Sequence, residues 1–235
     1  MATGTKRAEH GGKTNLDRAT IVAAALRLAA RPGTIAISVR ELGADLRSDP
    51  TAIYRHFRNK EALMRALLDD VFAMSLAQIT APREDWRGRL TQLASSTLDL
   101  FTTYPAIAVE ATVLTTDGPA ELDIVELMLD AFSRAGLSGD ELVRHYALLS
   151  SHVLSTAAGI ARARSTDAAR SREFGLWFDV GTHVDPATHP HVAEAVARLR
   201  GLTDRDLFFS GVESILQSAE RSAHAGDVPR SARES

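Results

Sequence analysis

Apolar residues in this chain recur with a period near 3.6, and the runs end in capping residues rather than in the two-residue alternation of strands. Ile21, Ala25, Leu28 and Ala29 share one face of a helix from about Asp17 to Arg31, which Pro32-Gly33 stops. Ser38 caps a short helix whose core face is Val39, Leu42 and Leu46, and Glu41 completes a Ser-x-x-Glu capping box. A tight connection at Arg47-Ser48 leads to Asp49 as N-cap and Pro50 at the first helical position, where the missing N–H does no harm. That helix is short, about 50–56, and Asn59 then caps a long one carrying Leu63, Leu67, Leu68, Val71, Phe72 and Leu76. Beyond Pro82 the period predicts helices over about 84–103, 105–115, 119–135, 139–164, 190–200 and 204–222. Pro105, Pro119 and Pro190 stand at helix starts, Gly136 closes one helix, and Ser138 with Glu141 forms a second capping box. The stretch 165–189, with Gly175, Trp177, Gly181 and Pro186, fits no element. The pattern as a whole predicts an all-α fold.

With 235 residues, the chain is one large domain or two small ones. It has no cysteine, so disulfides, thiolate nucleophiles and Cys-based zinc sites are excluded. No apolar run approaches the roughly 18 residues of a membrane span. The N-terminus lacks the apolar core of a secretory signal, which makes the cytoplasm the expected compartment. The net charge of −3 conceals an asymmetry. Residues 1–60 hold eleven lysines and arginines against five carboxylates, and all three lysines lie there; residues 61–235 hold sixteen against twenty-five. A basic head on an acidic body suggests that the head meets a polyanion.

Two short helices joined by a tight turn, packed on a third and followed by a long fourth, describe a helix-turn-helix, whose second helix enters a major groove. Ile53 and Phe57 point inward, against Leu42 and Leu46. Thr51 and Arg55, four apart, share a face suited to base edges, and Tyr54 and His56 can donate to flanking phosphates. Lys60 lies in the first turn of the long helix, where free N–H groups already favour a phosphate. The expected contacts to double-stranded DNA are Ser38, Arg40, Ser48, Thr51, Ala52, Tyr54, Arg55, His56 and Lys60. Plainer alternatives stand beside these: Tyr54 packed on the helix pair, and Arg55 and His56 on a solvated face. Lys6, Arg7 and Lys13 on the polar arm 1–15 could follow the minor groove.

At these residues the chain resembles the TetR family of bacterial transcription regulators. The resemblance runs from Asp17 to Leu68. It is carried by Ser38-Val39-Arg40-Glu41-Leu42 and above all by Ile53-Tyr54-Arg55-His56-Phe57-Arg58-Asn59-Lys60-Glu61-Ala62-Leu63. Phe208 to Ala219 is similar to the closing dimerisation helix of tetracycline-repressor-like members. Where the family usually carries Gly and a small apolar residue in the turn, this chain has Arg47 and Ser48. Either Arg47 adopts a strained conformation or the turn is built differently. The resemblance implies a homodimer that binds a palindromic operator and that a small molecule releases by moving the two heads out of register. The implied division is an arm at 1–15, a DNA-binding domain at 16–62, a ligand-binding and dimerisation domain at 63–223, and a frayed tail at 224–235.

In the body, helices 139–164 and 204–222 are the candidate dimer surfaces. The first carries Ala147, Ser151, Ala158 and Ala161 near Leu148, Leu154 and Ile160; the second carries Leu207, Gly211, Val212, Ile215 and Ala219. Candidates for a ligand pocket are Trp86, Phe101, Tyr104, Met128, Phe132, His145, Tyr146, His152, Phe174, Trp177 and Phe178, with His152 a polar fixture and Phe174 to Phe178 a gate. Each could equally be ordinary core. His183, Asp185, His189, His191 and Glu194 match no named zinc spacing, so neither a metal nor a cofactor is expected. No Gly-x-Ser-x-Gly elbow, phosphate-cradling glycine loop or His-Glu-x-x-His pair is present, and no catalytic residue is expected. A helical enzyme or an adaptor without specific DNA binding are the alternatives; the adaptor leaves the basic head unexplained.

Overall fold

The computed structural model describes residues 16–165, 184–199 and 201–226, which form helices and no strands. In chain order they are α1 (Arg18–Ala29), α2 (Val39–Asp45), α3 (Pro50–Ile53), α4 (Lys60–Ala77), α5 (Trp86–Thr103), α6 (Pro105–Ala108), α7 (Pro119–Arg134), α8 (Gly139–Arg164), α9 (Pro190–Leu199) and α10 (Asp204–Gly226).

The capping residues do what their chemistry predicts at the start of the chain. Asp17, Ser38, Asp49 and Asn59 each accept a hydrogen bond from a first-turn N–H, at 2.7, 3.4, 2.8 and 2.8 Å. The small core of the head follows from the helical period: Ile21, Ala25, Leu28, Leu42, Ile53, Phe57 and Leu63 are buried. The Arg18 guanidinium lies 4.5 Å from the Phe57 ring centroid, and Arg31 bonds Asp45 at 2.8 Å to tie α1 to α2. In the body, α8 packs against α5, α7 and α10, and α4 reaches from the head into this bundle against α5 and α7.

Four features depart from the sequence reading. The helix expected over about 50–56 ends at Ile53, because Phe57 turns into the head core and draws the chain into tighter turns. There Arg55 N–H reaches Ala52 O at 3.3 Å and His56 N–H reaches Ile53 O at 3.0 Å. The helix expected over 105–115 stops at Ala108 and gives way to a single 3-10 turn at Glu110–Thr112, where the Thr112 hydroxyl donates to Val109 O at 2.8 Å. The second capping box does not form. Ser138 occupies the N-cap position without a side-chain bond, and Glu141 pairs with Arg144 instead. Lastly, α10 continues to Gly226, so the first residues assigned to a frayed tail are helical.

The turn between α2 and α3 resolves the question posed by Arg47. Arg47 adopts the left-handed conformation, with φ 49°. Its N–H bonds Ala44 O at 3.1 Å and the N–H of Ser48 bonds Gly43 O at 2.9 Å, the paired bonds of a Schellman cap normally closed by glycine. Gly43, by contrast, is needed for space: a Cβ there would lie 2.9 Å from Ser48 O and 3.1 Å from Pro50 Cγ. The sequence reading missed that requirement.

Candidate nucleic-acid interface and internal cavity

The turn and α3 present Thr51, Tyr54, Arg55 and His56 to solvent, with Tyr54 46% exposed. Arg40 and Lys60 are exposed beside them, while Ser38, Ser48 and Ala52 are half-buried. Tyr54 therefore does not pack into the helix pair. The side chain of Thr51 is already engaged: its hydroxyl donates to Asp49 Oδ1 at 2.6 Å, and its N–H donates to the same oxygen at 2.8 Å. These two bonds, the hydroxyl first, hold the Asp49 carboxyl below its ordinary range. The N-cap carboxyl of Asp17 is lowered in the same way by Thr20, with a smaller contribution from His56. Lys6, Arg7 and Lys13 lie outside the described residues.

In the body, Arg83, Arg89 and Arg134 converge on Asp130, Arg87 bonds Glu213 and Glu220, and Arg205 bonds Asp99. Arg40, Arg47, Arg55, Arg58 and Lys60 are all exposed, and none has an ion-pair partner among the described residues. Five cations between residues 40 and 60 thus lack an ion pair, with only the nearby charge of Asp49 acting on Arg55, an arrangement that phosphates recruit.

An internal cavity of about 90 Å³ lies where α4, α5, α7 and α8 converge. Its wall includes Phe72 of α4, Leu90 and Thr97 of α5, Glu121 and Met128 of α7, and Tyr146 and Ser150 of α8. Of the expected pocket residues that are described, only Met128 and Tyr146 are brought to it. Phe101 and Phe132 are core, and Trp86 and Tyr104 are half-buried at the two ends of α5. His145 is buried between α8 and α10: Nδ1–H donates to Glu141 O at 2.8 Å and Nε2 faces the Ser218 hydroxyl at 3.3 Å. His152 Nε2 donates to Phe208 O at 2.9 Å, and its ring stacks on Phe208. Both histidines serve helix packing, because each Nε2 finds a partner on α10 while Nδ1 is satisfied within α8. Phe174, Trp177 and Phe178 lie outside the described residues. Thr97, Glu121 and Ser150 were missed. Thr97 and Ser150 sit on the buried faces of their helices, a cue the sequence offers, but nothing in sequence says that those faces enclose space.

Among the described residues no group of three or more His, Asp or Glu side chains converges on a metal position, and no helix is long and apolar enough to cross a membrane.

The comparisons with known proteins agree with this division of labour. The model of the bacterial regulatory proteins of the tetR family matches residues 21–67, and that of the tetracyclin repressor-like C-terminal domain matches residues 80–220. The HTH-type transcriptional repressor DrrR1 of Streptomyces coeruleorubidus is 27% identical over 73% of this chain, which spans 62% of that relative. The HTH-type transcriptional repressor Rv1353c of Mycobacterium tuberculosis is 27% identical over 97% of this chain and 91% of its own length. Among solved structures, ActR of Streptomyces coelicolor in complex with actinorhodin superposes with a TM-score of 0.72 at 20% identity, over 88% of this chain and 98% of that one, a likeness of fold. The C-terminal match alone covers more than half of the chain, and the protein accordingly belongs to the tetR family, as a DNA-binding transcription regulator and not an enzyme.

Proposed function

We propose that the protein is a repressor that binds a palindromic operator as a homodimer and is released from it by a small molecule held in the body. The observation that carries this reading is the cluster of exposed cations on the head: Arg40, Arg47, Arg55, Arg58 and Lys60 have no ion-pair partner among the described residues and are free to meet phosphates. Residues 16–62 act as the DNA-binding unit and 63–223 as the ligand-binding and dimerisation unit, with an arm at 1–15 and a tail at 224–235. Within the head, Thr51, Ala52 and Arg55 read base edges. Ser38, Arg40, Ser48, Tyr54, His56 and Lys60 position the head on the backbone.

The dimer is supported by the outer face shared by α8 and α10. Val143, Ala147, Leu148 and Ser151 are exposed on α8, as are Ser210 and Ser214 on α10, a surface of small and apolar residues that permits close helix approach. Ala158, Ile160 and Ala161, expected on the same surface, are buried within the subunit. Two-fold symmetry would set the two recognition helices one duplex turn apart, about 34–36 Å, which makes the operator a palindrome. A ligand response is supported by the cavity, and by the precedent of ActR holding actinorhodin on a similar fold. The ligand can shift the heads by no more than its differential affinity for the two arrangements.

Selection of a random duplex library on the full-length protein at fixed, near-physiological salt tests this reading. Enrichment of a palindrome is the expected result. Weak, sequence-blind binding by protein that mass spectrometry shows to be ligand-free would overturn it.

A further inference from the structure

Glu121 belongs at once to the cavity and to the junction between body and head. It lies in the first turn of α7 and lines the cavity. Its Oε2 accepts from Thr116 N–H at 2.5 Å, the Thr116 hydroxyl at 2.7 Å and Asp117 N–H at 3.1 Å. The loop so held is fastened on its other side to α4. Asp69 Oδ1 lies 3.0 Å from the same Thr116 hydroxyl, whose single proton the two carboxylates share, and accepts from Glu121 N–H at 3.1 Å. Arg65 donates to Thr115 O at 2.6 Å and to Asp117 Oδ2 at 2.9 Å. The loop is strained and close-fitting: Asp117 is left-handed at φ 54°, and a Cβ on Gly118 would lie 2.3 Å from the Asp69 carboxylate. Asp69, Arg65 and Lys60 belong to the same helix, α4, which runs from the loop's anchor to the edge of the DNA-binding face.

The chemistry of the cavity wall limits what it can receive. Among the described residues no lysine, arginine or histidine lines it, and the wall is otherwise mostly Leu, Ile, Val, Phe and Met side chains. The Ser150 hydroxyl is directed at Met128 Sδ, 3.6 Å away and a weak acceptor. Glu121 Oε1 accepts no hydrogen bond from the described residues. An anion bound here would face a carboxylate with no cation on the wall to offset it, whereas an amine would offer that carboxylate a donor and the opposite charge.

We propose that the cavity takes an apolar ligand bearing a single cationic amine, which Glu121 Oε1 receives, and that the same carboxylate passes occupancy through the Thr116–Gly118 loop to α4. Glu121 is thus a ligand contact on one oxygen and a positioning residue on the other. The inference rests on the ligand-responsive reading above and adds the class of ligand and the route of the response. Drawing the carboxylate toward the amine weakens its hold on Thr116 and Asp117, and a loop already strained at Asp117 loosens its grip on Asp69.

Phenethylamine, phenethyl alcohol and phenylacetate, nearly equal in size and different in charge, are the probes. Binding to the full-length protein is measured by calorimetry, and release of a selected duplex by fluorescence anisotropy. The amine should bind best, phenylacetate worst, and only the amine should release the duplex effectively. Glu121→Gln, which keeps the shape and the loop acceptor, should lose about tenfold in amine affinity and leave the alcohol unchanged. Thr116→Val should bind the amine as the wild type does but release the duplex less. Equal binding of phenylacetate and amine, or an unchanged order in Glu121→Gln, overturns the assignment of Glu121. Full release by Thr116→Val overturns the route through the loop. If the alcohol or the acetate releases the duplex and the amine does not, the ligand response stands and the amine falls. If no probe binds, or none affects the duplex, the amine proposal falls, and the responsive reading is judged separately by the library selection.

Discussion

Asp49 holds Thr51 twice through one carboxylate oxygen, from the backbone N–H at 2.8 Å and from the hydroxyl at 2.6 Å. On the proposed interface Thr51 therefore keeps its hydroxyl for the helix cap, which leaves its methyl group for a base. A methyl favours contact with the C5-methyl of thymine over a hydrogen bond to a base edge. Thr51→Val should retain the operator preference, at a small stability cost for the lost bond. Thr51→Ser should keep the stability and relax the preference at one base pair. Competition binding with single-base operator variants distinguishes the two, and the opposite pattern would show that the hydroxyl does the reading.

Arg47 carries both a strain and a charge. Replacing it with glycine relieves a left-handed backbone that costs a non-glycine residue about 1 kcal/mol or more, partly offset by the greater freedom of glycine in the unfolded chain. Arg47→Gly should raise the midpoint of thermal unfolding by a degree or two. The same change removes an unpaired cation and should weaken DNA binding, flattening its salt dependence by about one unit. A variant that binds DNA as tightly as the wild type would place Arg47 outside the interface.

Gly43 gives the opposite expectation. A methyl at this position meets the backbone oxygen of Ser48 at 2.9 Å, and backbone yields less easily than a side chain. Gly43→Ala should cost about 1–3 kcal/mol by forcing the turn open. Loss of specific binding should accompany the loss of stability in a denaturation series.

Arg55 and Lys60 separate reading from positioning. Arg55→Ala should cost about 1–3 kcal/mol on the operator and relax base preference. Lys60→Ala should weaken binding to all sequences alike and reduce the salt slope by about one unit. Identical losses on every duplex in both variants would erase the distinction.

Acid should destabilise the fold chiefly through Asp130. Its bonds to Arg83, followed by those to Arg134, hold its carboxyl well below the ordinary carboxylate range, and Glu141 is lowered by Arg144. The native state therefore resists protonation that the unfolded chain accepts near its ordinary value of 3.8, so the stabilisation is present above that value and disappears as the pH falls through the lower native value. Asp130→Asn should be less stable at neutral pH and should show a flatter loss of stability on acidification. Denaturant midpoints measured down to acid pH check both; an unchanged slope would remove Asp130 as the cause.

Much of this protein is local in origin and was legible in the chain. Asp17, Ser38, Asp49 and Asn59 cap helices because a short polar side chain and the first-turn N–H groups are neighbours in sequence, and Ile21, Leu42, Ile53 and Phe57 are buried because their spacing puts them on one face. The basic head and the Tyr54-to-Lys60 signature likewise need no neighbours to be recognised. What lies far apart in sequence was decided by tertiary packing. His145 and His152 read as pocket candidates until α10 supplied Ser218 and the Phe208 carbonyl as partners. Glu121 reads as an ordinary first-turn acid until α4 and the Thr116–Gly118 loop close around it. Periodicity tells which face of a helix is buried, but a wall of a cavity and a seam of the core are buried alike. Only the mutual placement of α4, α5, α7 and α8, fixed by contacts between residues many positions apart, separates the two.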